Sequence, residues 1–347
     1  MKILIAGLGS IGRRHFRNLL ALGERDILLY RTHRATLPDD ELAGYPLETD
    51  LQAALAHRPD AVIVSNPTAL HCDVAIPAAE AGCHILLEKP ISHSLERIDT
   101  LRTAAARSGS RVLVGFQFRF HPGLQRIRQL LANQQSTIEN QKSVIGNIVS
   151  IRAHWGEYLP NWHPWEDYRQ GYAARSDLGG GVILTLCHPL DYLRWLFGEC
   201  ELVWAITSHR GLEMEVEDTA EIGLKFASGL IGSVHLDYVQ RPPKHTLEII
   251  GTQGTIRWDN ADGTSDGAVQ LYVAQASDVP SVNGKPGEWQ TFPAPPGFGR
   301  NVMFLDQMRH FLLVCRGEAE PVCTLEDGIR ALELALAARA LATQGGG

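Results

Sequence analysis

The chain has 347 residues, 44% of them hydrophobic and 20% charged, with a formal net charge of −7 at neutral pH. That length makes two domains the natural expectation, and the composition is that of a globular protein with ample core. A net acidic balance argues against nucleic acid as the main partner, and no segment approaches the length of a membrane span. The six cysteines, at 72, 83, 187, 200, 315 and 323, contain no CxxC pair. They read as small buried residues of a reducing compartment rather than disulfides or zinc ligands, so a cytoplasmic protein without a metal site is expected.

In chain order, the first 120 residues alternate between two patterns. Short apolar runs at 2–7, 26–31, 61–65, 84–88 and 111–116 read as strands buried on both faces. Helical spacing occupies 10–22, 49–57, 69–82 and 94–108, with Ser94 as a start and Gly109 as a left-handed stop. Strand and helix in repetition predict a doubly wound parallel sheet over residues 1–120. From about residue 145 the pattern changes to mostly consecutive strands: "NIVSIRAHW", "AEIGLKF", "GLIGSVHLDYV", "HTLEIIG" and "GTIRW". An α+β domain with a large open antiparallel sheet is therefore expected over 121–347. One helix at 181–197 interrupts it. Two more, near 300–316 and 325–342, close it, and the last helix has the option of packing back on the first domain. Residues 133–143 read as a boundary loop and 261–299 as loop-dominated. One face of such a sheet is left to be covered, which predicts a homodimer or homotetramer pairing those faces.

"GLGSIG" follows the first strand and opens the first helix. Gly7 permits the sharp turn, Gly9 the close approach of backbone to a pyrophosphate, and Gly12 the packing of helix on strand. The amides of Ser10, Ile11 and Gly12 at the helix start would face the phosphates. An NAD site wants an acid at the end of the second strand, but the chain there reads "YRTHR". Arg31, Thr32 and Arg34 suit the 2′-phosphate of NADP, which makes NADP the preferred cofactor and NAD the alternative. The plainer reading of that stretch is a solvated turn.

"SNPTALH" (65–71), "EKP" (88–90), "GFQFRFHP" (115–122), "GGGVILTLCHPLDYLRWLFG" (179–198) and "GTQGT" (251–255) follow in order. Together with "GLGSIG" they resemble the Gfo/Idh/MocA family of NAD(P)-dependent oxidoreductases. The resemblance implies a Rossmann domain followed by an open-sheet domain, a hydride transfer at a carbinol carbon, and a sugar, cyclitol or nucleotide sugar as substrate. It implies further cofactor contacts at Ser65, Asn66, Pro67, His71 and Glu88, and makes Lys89 the active-site lysine beside the nicotinamide. His188 is then the general acid–base residue, its ordinary pKa lying near neutrality. Thr185, His188 and Asp191 are three apart, which would put them in one row on a helix. The carboxylate that many family members carry three or four residues before the histidine is absent; Leu184 and Thr185 stand there. Thr185 would orient substrate instead, or Asp191 the imidazole. Arg119 in "GFQFRFHP" is a further candidate for substrate. "EYLPNWHPWEDYRQGYAARSD" (157–177) gathers Trp162, Tyr168, Arg169 and Arg175, which suit a sugar ring, a base or a diphosphate, or else simply pin the loop over the sheet. Two other activities fit the same motifs: a glycoside hydrolase that retains its NAD, and a non-catalytic NADP-binding redox sensor.

Overall fold

The computed structural model describes residues 1–32, 37–132, 143–260, 267–274 and 288–344. The first part is a six-stranded parallel sheet in the order β3-β2-β1-β4-β5-β6. Its strands are β1 (Ile3–Ala6), β2 (Ile27–Tyr30), β3 (Leu47–Glu48), β4 (Ala61–Val64), β5 (His84–Leu87) and β6 (Val112–Val114). β1, β4 and β6 are buried along their whole length, as expected of strands covered by helices on both faces. The helices are α1 (Ser10–Ala21), α2 (Leu51–Ala56), α3 (His71–Glu80) and α4 (Ile98–Ser108). α4 begins four residues later than the sequence suggests. The amide of Ser94 is taken by the Ser92 hydroxyl at 3.3 Å rather than opening a helix, while Gly109 ends α4 at φ 73° as expected. Because β1 lies between β2 and β4, the loops after β1 and β4 flank the crevice where the winding reverses.

A helix not read from the sequence, α5 (Pro122–Ala132), leads to the second sheet. This has eight strands in the order β14-β13-β12-β11-β7-β10-β9-β8. They are β7 (Ile148–Tyr158), β8 (Cys200–Ser208), β9 (Thr219–Phe226), β10 (Ile231–Asp237), β11 (Val239–Gly251), β12 (Gly254–Asp259), β13 (Val269–Val273) and β14 (Trp289–Phe292). The sheet is mixed rather than wholly antiparallel. β10 runs parallel to β7, and the chain then rounds the end of β7 and returns antiparallel on its other side as β11. A connection that straddles a strand forces one flank to be parallel. The stretch 261–299 also contributes two strands, β13 and β14, where only loop was expected.

Strand alternation gives this sheet two unlike faces. Ile151, Ala153 and Trp155 of β7 are buried beneath the helices α6 (Val182–Thr185) and α7 (His188–Phe197). The other face leaves Trp204, Ile206 and Ile231 between 42% and 66% exposed. α8 (Arg300–Cys315) lies against α1, with Arg14 over the Phe304 ring at 4.7 Å and Asn301 donating to Asn18 at 2.9 Å. The carbonyl of Cys323, just before α9 (Leu325–Gln344), accepts from the Val114 amide of β6 at 2.9 Å. Among the described residues no helix is long and apolar enough to cross a membrane.

Candidate active site

The three glycines of the first turn are held by three different constraints. Gly7 sits at φ 96°, and a Cβ there would lie 2.5 Å from the Asn66 amide nitrogen. At Gly12 it would lie 1.9 Å from the Gly7 carbonyl oxygen. At Gly9 it would meet nothing within 4 Å, so the bare backbone there faces open space. Gly9 caps α1 without a side-chain hydrogen bond, leaving the amides of Ser10, Ile11 and Gly12 for an anion. A close-packed turn, an open glycine and uncapped amides are what a dinucleotide pyrophosphate requires, so the residues fit that group. Ser65 buttresses the turn by donating to the Ala6 and Gly7 carbonyls at 3.1 and 2.9 Å. His71 is buried and its Nε2 lies 3.0 Å from the Asn66 carbonyl. Burial holds its pKa below the ordinary value. Both residues therefore shape the Asn66–Pro67 loop from behind.

At the end of β2 an acid is present after all. Arg31 makes a two-pronged pair with Asp39, its Nη1 donating to Oδ1 at 2.7 Å. Arg13 reaches the same carboxylate at 3.0 Å and Glu41 at 3.1 Å. These arginines hold Asp39 below the usual carboxylate range. Arg31 is thus not the unpaired cation that the sequence suggested. Thr32 is exposed beside it, and Arg34 lies outside the described residues.

Lys89 and His188 are brought together by a break in the helix expected over 181–197. Pro189 has no N–H to offer the carbonyl of residue 185, four positions earlier. The helix divides into α6 and α7 at Leu186–Cys187, and the freed Thr185 carbonyl accepts from Lys89 Nζ at 2.7 Å. The row of Thr185, His188 and Asp191 on one helix does not form. Thr185 is 1% exposed and meets Lys89 through its backbone. Glu88, next to Lys89, is buried, with Oε1 2.7 Å from His15 Nε2. Burial pushes its pKa up, but His15 and the Lys89 charge outweigh that and hold it down. Glu88 is a sealed anion beneath Lys89 rather than a group on the cofactor surface.

His188 lies at the start of α7 inside an aromatic box. Phe118, Trp155 and Phe116 have ring centres 4.9, 5.2 and 6.0 Å from its own. Burial first, then the charges of Lys89, Arg300 and His245, push its pKa well below 6.5. The imidazole is neutral at physiological pH, and its Nδ1 has no partner among the described residues.

Sequence reasoning passed over the residues that complete this box. His245 of β11 stacks on Trp155 at 3.9 Å, and its Nε2 lies 3.0 Å from Glu157 Oε1. Trp155 Nε1 donates to the same oxygen at 3.1 Å. Arg300, the first residue of α8, adds its positive charge to the field at both His188 and Glu157. The carboxylate of this region, Glu157, comes from β7 and is held by His245 and Trp155. The signal was available: residues 151, 153, 155 and 157 share the inward face of β7, and an acid at a core-facing position is a flag for function.

The remaining candidates are mostly paired with one another. Arg119 and Asp191 form a buried ion pair at 2.6 and 3.0 Å, 3% and 1% exposed, with Asp327 beside them. Neither presents its charge to a cleft, so both are reassigned from substrate contact to the joint between α7, the segment after β6 and the start of α9. Removing one charge of such a pair strands the other. Asp191→Ala should therefore lower unfolding free energy by about 3–5 kcal/mol, read from urea titration of the full chain. Arg175 is half-buried and donates to Asp177 at 2.9 Å; Arg169 is exposed and bonded to Asp167 at 2.9 Å and Glu213 at 3.1 Å. Trp162 packs edge-on against buried Tyr238 at 5.8 Å, and the Tyr168 hydroxyl accepts from the Glu213 amide at 3.3 Å. In this loop the pinning role is the one with contacts.

A Rossmann sheet with a phosphate turn, a strand-end lysine and a histidine from a second domain define a dinucleotide-dependent oxidoreductase. Residues 1–116 match the oxidoreductase family with an NAD-binding Rossmann fold, and residues 138–257 match the GFO/IDH/MocA C-terminal domain; the chain belongs to the Gfo/Idh/MocA family. It is 26% identical to myo-inositol dehydrogenase Hyg17 of Streptomyces leeuwenhoekii, over 99% of this chain and 98% of that one. It is 29% identical to the 1,5-anhydro-D-fructose reductase of Ensifer adhaerens, over 80% and 76%. Its fold is that of the WlbA dehydrogenase from Bordetella pertussis solved with NADH and UDP-GlcNAcA (TM-score 0.77, 23% identity, 99% and 97% covered). The protein is an NAD(P)-dependent oxidoreductase.

Proposed function

We propose that the protein moves a hydride between the nicotinamide and a carbinol carbon of a sugar, cyclitol or nucleotide sugar. The observation that carries this reading is the hydrogen bond from Lys89 to the Thr185 carbonyl, which ties the carboxyl edge of the Rossmann sheet to the His188 segment. The cofactor supplies the hydride chemistry; the chain binds, orients and handles the proton. Lys89 hydrogen-bonds the reacting oxygen and stabilises the negative charge that develops on it. His188, neutral in its box, takes the hydroxyl proton in oxidation and returns it in reduction. Absorbance of the nicotinamide, followed across a panel of sugars, cyclitols and nucleotide sugars with NAD and NADP, tests the reading. Consumption of a glycoside with no net cofactor turnover would replace it with the hydrolase.

NADP is the cofactor we expect to bind more tightly, through Arg31 and Thr32, with Asp39 as the competitor that its 2′-phosphate must displace from Arg31. Asp39→Asn should then tighten NADP by roughly tenfold and Arg31→Ala weaken it by at least as much, with NAD little changed in both. Calorimetric titration of both cofactors checks this, and equal affinities in the unmutated protein would reduce the turn to a solvated one.

The exposed Trp204, Ile206 and Ile231 support a homodimer or homotetramer through the outer sheet face. Light scattering at micromolar concentration should return a multiple of the 38.2 kDa chain mass. Six unpaired cysteines support a reducing, cytoplasmic setting.

A further inference from the structure

The outer face of the eight-stranded sheet carries a second cluster of chemically capable groups. His154 of β7 and His235 of β10 are register partners on adjacent parallel strands, and Asp237 follows two residues on. All three project from the face opposite Trp155 and His188. The two rings lie 4.4 Å apart. His235 Nε2 is 3.0 Å and His154 Nε2 is 3.8 Å from Asp237 Oδ2, and one ligand atom of each residue lies within 4.8 Å of those of the other two. Around a four-coordinate ion with bonds of about 2.0–2.1 Å, neighbouring ligand atoms stand roughly 3.3 Å apart, between the two separations found here.

The surroundings orient each ligand. His235 Nδ1 lies 2.7 Å from Glu221 Oε1, so a proton on Nδ1 leaves Nε2 with its lone pair toward the cluster. A carboxylate behind a histidine is the usual outer support of a metal ligand. Asp237 Oδ1 accepts from the Val239 amide at 2.8 Å, which aims Oδ2 at the two rings. His154 Nε2 is buried without a hydrogen-bond partner among the described residues, a cost a folded protein normally avoids. Gly156 is the next residue on the same face of β7, and a Cβ there would lie 2.4 Å from Asp237 Oδ2. The nearby Lys244 charge is opposed by two carboxylates, Asp237 and Glu221.

We propose that His154, His235 and Asp237 form a divalent transition-metal site on the outer side of the sheet, with Glu221 orienting His235. Two imidazoles and one carboxylate suit zinc in particular. The site lies across the sheet from the candidate active site and does not depend on the reading given to Lys89 and His188.

The test uses the full chain, free of any affinity tag and stripped with chelator, titrated with zinc chloride by calorimetry and checked by equilibrium dialysis with metal analysis. One zinc per chain is expected. His154→Ala and His235→Ala should each weaken it at least a hundredfold, and Glu221→Gln about 10- to 100-fold. His57→Ala, which alters an exposed histidine elsewhere, should bind as the unmutated chain does. Affinity should fall as pH drops, since protons compete with the metal for imidazole and carboxylate ligands. Should the alanine variants not fold, cobalt(II) added to the unmutated protein should give the intense visible absorption of a tetrahedral site. Sub-stoichiometric zinc in the unmutated chain, unchanged affinity in both histidine variants, or a cobalt spectrum of the hydrated ion overturns the proposal.

Discussion

Lys89→Ala should reduce kcat by about 10²–10³-fold while the dissociation constant for the dinucleotide stays within a few-fold. That range is what the loss of one preorganised donor to a developing oxyanion costs elsewhere. The interaction strengthens as charge builds on the reacting oxygen, so its loss falls on the transition state rather than on binding. The ammonium is anchored by the Thr185 carbonyl, which holds it in place before substrate arrives. Arginine at this position should not restore the rate, since a planar fork cannot occupy the place of a compact ammonium bonded to one carbonyl. Steady-state kinetics together with a cofactor fluorescence titration separate the two quantities. A variant with normal kcat would leave Lys89 as a brace between the domains.

His188→Ala should lower turnover by about 10²–10⁴-fold, the usual contribution of a positioned acid–base group. The more discriminating result is the pH profile. Burial and the neighbouring charges of Lys89, Arg300 and His245 all disfavour the imidazolium, so the folded pKa lies well below 6.5. Oxidation requires the neutral ring. Its kcat/KM should therefore stay level as pH falls from 8 through 6.5 and decline only at lower pH. Removing the Lys89 charge relieves part of the depression, so the residual activity of Lys89→Ala should begin to fall at a higher pH than the unmutated enzyme. An acid limb centred at 6.5 in the unmutated enzyme would place the titrating group outside this box. Glu157→Gln leaves His245 facing an uncharged neighbour and offers a companion variant for the same profile.

Both results depend on Pro189. The sequence shows a proline next to the histidine, and helical spacing on both sides suggests one continuous helix from 181 to 197. A proline at that position is compatible with a kink, a break or a helix start. Here it starts α7, and the orphaned carbonyl of Thr185 becomes the acceptor for a lysine almost a hundred residues away. Local pattern cannot announce a partner that distant.

The sequence by itself determined the Rossmann half and the phosphate turn. Buried strands and glycine positions are set by local sterics: Gly7 needs a positive φ and Gly12 has no room for a Cβ, whatever the rest of the chain does. It also picked out Lys89 and His188 through motifs that each lie within one stretch of chain. Tertiary structure alone decided how charges are matched. Arg31 finds Asp39 across a turn, Arg119 finds Asp191 across 72 residues, and Glu157 and His245 meet beside Trp155 from adjacent strands. It likewise set His154 beside His235 on the outer face, a pairing that exists because β10 runs parallel to β7. The physical reason is that an ion pair or a ligand set depends on separation in space over a few ångströms, and register between strands distant in sequence is fixed only when the sheet closes on its core.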